Sequence, residues 1–385
     1  MNTLKPITLI IPRLNFLGGI ERVFAEFLIF LSRSGREVNV ICEQIDPDLK
    51  LHCKKIFFLE QKTKGFKYFP LIKTLSWANR VTRLMQSPEL NETITIAPPG
   101  TGPWQMDFAF AGSCHLAALL AATNQTQWRW VLNPFHYLII FMEWRAFKFG
   151  SRKILVPSER TALEIQKLYG IKKSKIIVLP HGVDTTLFFP ASSHEKIDAK
   201  GALGVAKDEL VLLTVTNEIQ RKGCFLVLEA IGKLLLHGIK VRYVIVGRDD
   251  YSQIRAYAKD LSISNLVVFL PPSSNQSLVS IFHAADIFLL PTTYESFGLV
   301  GMEAMSCGLP LIATQVGGIE DYLEDGKQGY FVERTADDIA KKIMVLARNL
   351  NLRKEMGAAA RVQAEQYSWQ SVLSRLDKLI NDEKF

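Results

Sequence analysis

Two glutamates, Glu295 and Glu303, lie eight positions apart around a glycine-bearing turn, Phe297-Gly298. The apolar run 287–290 before them predicts a buried parallel strand, and we expect a helix to begin near Leu299. The first-turn amides of that helix would point back toward Glu295 and offer a site for phosphate oxygens. Carboxylates on both sides of an anion site suit a ligand with hydroxyls around a phosphate, such as a nucleotide sugar. Either carboxylate alone is equally compatible with a structural role at a helix start.

Two adjacent cations, Arg221 and Lys222, precede Gly223 between a predicted strand (210–215) and a predicted helix (225–236). Cations after a strand and ahead of a helix N-terminus are well placed to neutralise a diphosphate. An Arg-Lys pair in a loop is more commonly solvated, so the pair supports a diphosphate site only when it is considered together with the two glutamates.

The elements that must position these residues alternate regularly in the second half of the chain. Strands are predicted at 210–215, 241–246, 266–270, 287–290 and 311–313, separated by helices at 225–236, 251–261, 277–284 and from about 299. Such alternation predicts a parallel sheet with right-handed crossovers. Two more helices, at 336–350 and 352–366, follow the last strand.

The first half opens with the same kind of unit. A strand at 7–11, a loop that contains Gly18 and Gly19, a helix at 20–33 and a strand at 38–42 are predicted in that order. The adjacent glycines differ from the spaced Gly-x-Gly-x-x-Gly of dinucleotide-binding dehydrogenases, which weakens that alternative. Later elements are predicted as helices at 71–85, 116–122 and 135–149 and strands at 107–111, 153–156 and 175–179.

Composition indicates a globular protein long enough for two domains. The 385 residues are 48% hydrophobic and 22% charged, and no apolar run is long enough to cross a bilayer. We expect no export signal and a cytoplasmic location. The scattered cysteines are expected to be reduced, and no pattern predicts a metal site: Cys42, Cys53, Cys114, Cys224 and Cys307.

Basic charge is concentrated in the first half, where residues 1–190 carry 24 Lys/Arg and 14 Asp/Glu, against 22 and 24 in residues 191–385. Basic and aromatic residues alternate over 54–73, including Lys54, Lys55, Lys62, Lys64, Lys67 and Lys73 among Phe57, Phe58, Phe66, Tyr68, Phe69 and Leu71. This mixture is typical of an interfacial contact with an anionic membrane. It also suits single-stranded nucleic acid, but no nucleic-acid-binding motif accompanies it, so no nucleic-acid partner is expected.

The segments Glu295-Ser-Phe-Gly, Glu303-Ala, Gly308-Leu-Pro and Gly317-Gly318 together resemble the donor-site signature of retaining glycosyltransferases of family four. The family signature is two glutamates separated by seven residues. The resemblance implies the GT-B fold: two Rossmann-like α/β domains that face a central cleft, with a C-terminal helix that returns to the first domain. It covers essentially the whole chain and is strongest after about residue 150.

The resemblance also implies roles on the donor side. Glu295 would hold the transferred sugar, Glu303 would bind the ribose hydroxyls, and Lys222 would contact the diphosphate, with Arg221 replacing a family arginine whose position here is Asn217. The other implied donor contacts are mainly backbone groups, at Gly18, Gly19, Gly247, Pro271, Phe297, Gly298, Leu299 and Val300. We therefore expect Glu295 and Lys222 to be catalytic, and neither a cofactor nor a metal to be needed.

On the acceptor side, the segments 108–115, 18–22 and 135–147 most resemble glucosyltransferases that build the inner part of the lipopolysaccharide core. Those enzymes usually carry an aspartate where Gly112 stands here, so His115 becomes the candidate base or acceptor contact, although a lone histidine after a strand is more often structural. The family linker motif, commonly Asn-Gly-Val-Asp, begins here with His181. We place an acceptor domain at 1–181 with 367–385, and a donor domain at 182–366.

These features predict a retaining, metal-independent hexosyltransferase that uses a nucleotide diphosphate sugar. Its acceptor would be the lipopolysaccharide core or another envelope glycolipid or oligosaccharide, and the enzyme would be peripheral on the inner face of the cell membrane. Two alternatives remain. One is a same-fold transferase with a soluble acceptor, such as a sugar phosphate or metabolite, and the other is a catalytically inactive nucleotide-sugar-binding protein, suggested by Gly112 and Asn217.

Overall fold

The computed structural model describes residues 4–16, 18–59, 70–123, 133–273 and 275–382. The chain divides into two units, Met1–Gly182 together with Trp369–Phe385, and Val183–Ser368. Each unit is built around one parallel sheet with helices against it. The predicted fold class, two Rossmann-like α/β domains, is confirmed.

The first unit contains a seven-stranded parallel sheet in the order β5-β3-β1-β6-β7-β8-β9 and a two-stranded pair β2-β4. Its register places Ile7 beside Val38 on one side of β1 and beside Ile94 on the other. Because the chain progresses outward in opposite directions from β1 and β6, the sheet has a topological switch point between them. The strands are β1 Ile7–Ile10, β2 Arg13–Leu14, β3 Val38–Cys42, β4 Gln44–Ile45, β5 Lys55–Phe58, β6 Ile94–Ala97, β7 Met106–Phe110, β8 Ser151–Val156 and β9 Ile176–Val178.

Among the described residues, five α-helices connect these strands, and a sixth comes from the C-terminal end of the chain. Residues of that last helix, among them Trp369, Leu373 and Leu376, pack in the same core as Phe24 and Phe27 of the first helix. The helices of this unit are α1 Gly19–Arg33, α2 Pro70–Leu84, α3 His115–Thr123, α4 Pro134–Arg145, α5 Glu159–Tyr169 and, at the end of the chain, α14 Trp369–Asp382.

The second unit has a six-stranded parallel sheet in the order β12-β11-β10-β13-β14-β15. The strands are β10 Leu210–Val215, β11 Val241–Val246, β12 Val267–Leu270, β13 Ile287–Leu290, β14 Leu311–Ala313 and β15 Gly329–Phe331. The helices are α6 Ser193–Ala202, α7 Cys224–Leu236, α8 Ser252–Asp260, α9 Asn275–Ala284, α10 Leu299–Ser306, α11 Ile319–Tyr322, α12 Ala336–Arg348 and α13 Leu350–Gln366. The switch point lies between β10 and β13, where the sequence predicted its charged loops.

The structure differs from the sequence prediction mainly in the first unit. The helix predicted over 135–149 ends at Arg145 and continues as a π-helical turn, Ala146–Gly150. Strands β5 and β6 lie in a region for which no strand was predicted. Most of the predicted basic and aromatic contact segment, including Lys62, Lys64 and Phe66, lies outside the described residues.

All five cysteines carry free thiols, and four of them are buried. Among the helices that the structure describes, each is too short or too polar to span a bilayer.

Candidate functional site in the second unit

The loop after β13 leads into α10 through Gly298, which adopts a left-handed conformation with φ of +88° and precedes the first helical residue, Leu299. The hydroxyl of Tyr322 donates a hydrogen bond of 3.2 Å to the carbonyl of Gly298, and its ring packs against Phe297 with centroids 5.4 Å apart. Because a side chain at this φ would be strained, glycine is required for the turn. The helix start predicted near Leu299 is where the structure has it.

Glu295 and Lys222 form a buried ion pair at the switch point of the sheet. Their residues are 8% and 7% exposed, and the ammonium group of Lys222 contacts Oε1 of Glu295. Arg221 reaches the same oxygen with Nη1 at 3.1 Å and donates as well to the carbonyl of Tyr294. The carboxylate after β13 is therefore clamped by both cations that follow β10.

Burial by itself would raise the pKa of Glu295, but the charges of Lys222 and Arg221 outweigh this effect and lower it. Burial would likewise lower the pKa of Arg221, yet Glu295 and Glu218 raise it above its ordinary value. Glu295 is thus ionised at neutral pH, and the two cations exceed its charge by one unit. On the exposed side, Glu218 offsets the charge of Arg221, with its Oε2 2.6 Å from Nη2 of the arginine.

Two glycines after β14 allow the chain to pass directly over Glu295. A Cβ on Gly317, where φ is +59°, would lie 1.4 Å from the carbonyl oxygen of Glu295. A Cβ on Gly318 would lie 2.6 Å from Cα of Phe297. Any larger residue would displace this backbone, so the Gly-Gly pair is needed for the loop after β14 to pass this close to the backbone of Glu295 and Phe297.

Gly223 and Arg334 join the cation loop to the end of β13. Gly223 has φ of +74°, and a Cβ there would lie 2.4 Å from the carbonyl oxygen of Pro291. That oxygen accepts a hydrogen bond of 3.2 Å from Nε of Arg334, whose Nη2 donates to the carbonyl of Gln220 at 3.1 Å. Sequence reasoning did not single out Arg334, because no motif links it to loops more than 40 residues away.

Gly247 follows β11 at the same edge of the sheet. A Cβ on Gly247 would lie 1.5 Å from the carbonyl oxygen of Thr216, and the side-chain oxygen of Asn217 accepts a hydrogen bond of 2.8 Å from the amide of Arg248. Asn217, which stands where the family commonly has arginine, therefore supports the neighbouring loop. Arg221 holds the second cationic position beside Lys222.

The remaining predicted donor contacts of the second unit lie on α10 and directly after β12. Glu303 is 2% exposed on α10. Pro271 is exposed directly after β12, where the carbonyl of Leu270 accepts a hydrogen bond of 3.2 Å from the amide of Gly247. The amides of Leu299 and Val300 belong to the first turn of α10. The ribose, base and phosphate roles of these groups stay predictions.

In the first unit, Gly18 is the N-cap of α1 and has an extended backbone with φ of −104°. A Cβ there would lie 2.1 Å from the carboxylate of Glu21, whereas Gly19 has open space around its Cα. Gly112 precedes α3, and His181 is buried and stacked on Phe110 with centroids 5.9 Å apart. The donor role predicted for the two adjacent glycines remains a prediction.

His115 begins α3 and pairs with His136 of α4, a residue that the sequence analysis did not identify. His115 Nε2 and His136 Nδ1 are 2.9 Å apart, and the rings stack at 5.1 Å. Burial and the neighbouring imidazole lower the pKa of His115, so its ring is neutral at pH 7. A neutral imidazole can exchange a proton with a bound hydroxyl.

A buried carboxylate supports this pair. Glu143 is 5% exposed, and its Oε2 accepts hydrogen bonds from the backbone amide of His115 at 3.1 Å and from the hydroxyl of Tyr169 at 2.5 Å. Burial raises the pKa of Glu143 to about 7, against the opposing effect of the two hydrogen bonds. The role of Glu143 could not be predicted from its place in a helical pattern, because its partners, His115 and Tyr169, come from two other helices.

The second-unit cluster can hold an anionic ligand by two cations while a carboxylate orients the ligand's hydroxyls. Within the described ranges, no three His, Cys, Asp or Glu side chains are grouped so as to hold a metal ion. Two doubly wound sheets, with this cluster at the switch point of the second, define the class of protein, which is one built on two Rossmann-like halves.

Family models identify the family within that class. Residues 17–187 match the model described as Glycosyltransferase Family 4, and residues 195–363 match Glycosyl transferases group 1. The chain belongs to the family-four glycosyltransferases with the GT-B fold.

Similar proteins include a D-inositol 3-phosphate glycosyltransferase of Geodermatophilus obscurus, 34% identical over 251 residues, which are 60% of this chain and 54% of the relative. The chain spans about half the length of the curated relatives it matches. Among solved structures, WaaG, a glycosyltransferase involved in lipopolysaccharide biosynthesis, superposes with a TM-score of 0.79 at 18% identity, covering 98% of this chain and all of WaaG. Anabaena Alr3699/HepE, in complex with UDP and glucose, gives 0.76 at 16% identity over 98% of this chain and all of HepE. At these identities the structures show the fold alone.

Proposed function

We propose that this protein transfers a hexose, with retention of anomeric configuration, from a nucleotide diphosphate sugar to a phosphorylated soluble acceptor. The observation that carries the donor half is the buried cluster of Glu295 with Lys222 and Arg221 at the switch point of the second sheet. The family supports the reaction type. The HepE complex with UDP and glucose supports a donor of this chemical class.

The acceptor half of the proposal follows the curated relatives. They include D-inositol 3-phosphate glycosyltransferases at 34% and 30% identity. A phosphorylated polyol or sugar phosphate is therefore the first acceptor class to test. The first half of the chain, with its excess of Lys and Arg, is suited to a phosphorylated substrate.

In the proposed reaction, the bond between the anomeric carbon and the donor phosphate breaks, and a bond to the acceptor oxygen forms on the same face. The acceptor proton leaves with the departing nucleoside diphosphate. Lys222 and Arg221 neutralise the charge that grows on the diphosphate, in a buried site where such charges act strongly. Glu295 orients the hexose, and Glu303 binds the ribose hydroxyls. No cofactor takes part, and the two cations fill the role that a divalent metal has in other glycosyl transfers.

When a donor binds, the ion pair between Lys222 and Glu295 must be replaced, at least in part, by contacts of each residue with the donor. Before binding, Lys222 is neutralised by Glu295. A diphosphate placed beside Lys222 would share its charge, while a sugar hydroxyl would donate to the carboxylate of Glu295. The pair therefore suits a ligand that carries both phosphate and hydroxyl groups. A phosphate without a sugar would contact Lys222 but would offer no hydroxyl to Glu295.

A second acceptor class, an envelope glycolipid, is favoured by one observation: several large aromatic side chains are exposed on α4 of the first unit, among them Phe141 and Trp144. An acceptor with a lipid anchor would bring the protein to a membrane surface. A peripheral location on the inner face of the cell membrane belongs to this second candidate.

The test is an assay of transfer with a panel of UDP-, GDP- and ADP-hexoses against inositol phosphates, hexose phosphates and extracted glycolipids. Products are identified by mass spectrometry, and the anomeric configuration is read by NMR. The proposal expects transfer to a phosphorylated soluble acceptor with retention. Transfer to glycolipid alone would select the second class. Tight donor binding without hydrolysis or transfer in any combination would support the inactive binding protein instead.

A further inference from the structure

A cavity of about 680 Å³ lies in the first unit, at the edge of the sheet opposite to His115. It is lined by Met106 and Ser151, the first residues of β7 and β8, and by Thr93 just before β6. Because these strands are parallel, their first residues lie at one edge, whereas His115 follows the last residue of β7 at the other. The cavity is therefore separate from the histidine pair. Its volume is within the range of about 300–1,000 Å³ that small-molecule sites have.

The π-helical turn Ala146–Gly150 forms part of the wall of this cavity. Phe149 and Gly150 of the turn line the cavity, together with Arg145 directly before it. A Cβ on Gly150 would lie 2.8 Å from the carbonyl oxygen of Trp104, so a larger residue would push the turn away from the loop before β7. Since π-helical turns are rare and frequently occur at functional sites, this wall is a candidate binding surface.

Arg145 and Trp104 form a well-anchored part of the lining. Nη1 of Arg145 donates a hydrogen bond of 2.8 Å to the carbonyl of Trp104, and the guanidinium lies over the indole ring at 4.3 Å. The indole Nε1 donates to the side chain of Asn79 at 2.7 Å, and the amide of Trp104 donates to the hydroxyl of Thr82 at 2.9 Å. Among the described residues, no carboxylate pairs with Arg145. Its positive charge can therefore act on a ligand.

Asp107 and Arg152 also line the cavity. Oδ2 of Asp107 accepts hydrogen bonds from the amide and the hydroxyl of Thr95, at 2.9 and 3.0 Å, which fix the carboxylate. Its other oxygen, Oδ1, lies 3.6 Å from Nε of Arg152, which is too long for a hydrogen bond. The side chain of Arg152 is 57% exposed, and exposed pairs of this kind contribute little to stability. Both groups can therefore turn to a ligand at little cost to the fold.

Three side-chain amides complete the polar lining: Gln86, Asn91 and Gln105. All three residues are exposed, and within the described ranges none of these amides is hydrogen-bonded to another side chain or to the backbone. An amide group both donates to and accepts from a hydroxyl. The charged residues of the lining are two arginines and one aspartate, so the cavity carries a net charge of +1.

We infer that this cavity binds a sugar or polyol that carries one anionic group, at a site separate from the reaction. The guanidinium groups of Arg145 and Arg152 hold the phosphate or carboxylate of the ligand. Asp107 and the three amides bond its hydroxyls, and Trp104 supplies apolar surface beside these polar groups, as small-molecule sites generally do. The inference does not depend on the donor or the acceptor of the proposed reaction.

Other ligand classes fit the cavity less well. A divalent cation would meet two guanidinium groups and a single carboxylate, and the structure, over the residues it describes, groups no three His, Cys, Asp or Glu side chains for a metal. An apolar ligand would remove water from both guanidinium groups and the carboxylate of Asp107 without replacing their hydrogen bonds. A neutral sugar would leave the excess positive charge of the cavity without a partner.

The experiment measures binding of glucose 6-phosphate, glucuronate and glucose to the full chain by calorimetry. The wild type is expected to bind one of the two anionic sugars at least about tenfold more tightly than glucose, because glucose lacks the charge-assisted hydrogen bonds to arginine. The two anionic sugars distinguish a phosphate ligand from a carboxylate ligand. Inorganic phosphate and acetate, which carry the charge without the sugar, should bind more weakly than the corresponding sugar. Equal affinity for glucose and both anionic sugars, or binding of none of them, would overturn the inference.

Arg152→Met should weaken binding of the preferred anionic sugar at least about tenfold. Arg160→Met is the matched control, because Nε of Arg160 likewise faces a carboxylate oxygen, of Glu164, at 3.8 Å and its side chain is 54% exposed. The control should bind like the wild type. Arg145→Met should also lose affinity, and circular dichroism verifies its fold, because Arg145 holds the loop of Trp104. Should that variant fail to fold, Arg152→Met decides: unchanged affinity in it would contradict the proposed site.

The fluorescence of Trp104 tests whether the anionic sugar enters the cavity. Binding should change the emission of the wild type, and Trp104→Phe should keep the affinity measured by calorimetry but lose this change. His115→Ala and Lys222→Met should bind the anionic sugar like the wild type, because neither residue lines the cavity. Loss of binding in either variant, with full binding in Arg152→Met, would place the ligand at the reaction site instead. These measurements involve no glycosyl transfer, so failure of the proposed function would leave their outcome unchanged.

Discussion

Replacing Lys222 by methionine separates the structural contribution of this side chain from its chemical one. Methionine has a similar length but no charge, so the change leaves Glu295 buried with Arg221 as its remaining cation, at 3.1 Å. Breaking a buried ion pair by removing one partner costs about 3–5 kcal/mol. Because Arg221 still offsets part of the charge, we expect a loss of about 2 kcal/mol in the free energy of unfolding of the second unit.

A loss of that size corresponds to a fall in melting temperature of about 4–8 °C for a unit of this length. The double variant Lys222→Met/Glu295→Gln removes both charges and should recover most of the lost stability, since neither partner is left ionised and unpaired. Its transfer rate should stay about 10²–10³-fold below the wild type, as in the single variant, because the diphosphate still lacks its cation.

The assay pairs thermal unfolding with initial rates of donor hydrolysis or transfer for the wild type, both single variants and the double variant. Arg160→Met, which removes an arginine that is exposed in the first unit, is the control and should change neither quantity. Recovery of turnover in the double variant would refute a role for Lys222 in charge neutralisation. An unchanged melting temperature in Lys222→Met would refute the coupling of the two buried charges.

Two further perturbations test other parts of the site, and a third tests a separate buried ion pair, between Asp286 and Lys200, ahead of β13. Glu303→Ala should weaken nucleotide-sugar binding about tenfold, measured by calorimetry, through loss of charge-assisted hydrogen bonds to the ribose; unchanged affinity would exclude that contact. Gly317→Ala should lower the melting temperature and abolish donor binding, because its Cβ would meet the carbonyl of Glu295 at 1.4 Å; Gly326→Ala, where φ is +83° but nothing lies within 4 Å of a Cβ, shares the backbone strain without the clash and should keep donor binding. The pKa of Asp286 is lowered because Lys196 and Lys200 outweigh its burial, so its stabilisation is present above the ordinary aspartate pKa and is lost as pH falls through the lowered value. Asp286→Asn should therefore reduce the fall in the free energy of unfolding at acid pH. The same fall in the variant as in the wild type would contradict this.

Most strands and helices of the second unit could be predicted from local sequence patterns. The strand over Ile287–Leu290, the helix start at Leu299 and the strand Leu311–Ala313 could be predicted because each has an unbroken apolar run or a glycine at its boundary. Lys222 and Glu295 could be placed at one edge of the sheet because parallel strands carry their carboxyl ends on the same side.

Contacts between distant segments could not be predicted in the same way. The bonds of Arg334 to the loops around Pro291 and Gln220 depend on how separate elements pack. The pairing of His115 with His136, and the support from Glu143, bring residues from two helices together. The first unit also contains short strands such as Lys55–Phe58, whose partly exposed residues show no strong periodicity.

The most direct test of the central claim is a calorimetric comparison of nucleoside diphosphate sugars with the matching nucleoside monophosphates. The claim is that Lys222, Arg221 and Glu295 form a site for a diphosphate that carries a sugar. The wild type is predicted to bind the diphosphate sugar of one base at least about tenfold more tightly than the monophosphate, and Lys222→Met should lose this difference. Equal affinity of the wild type for both ligands, across all bases, would contradict the account.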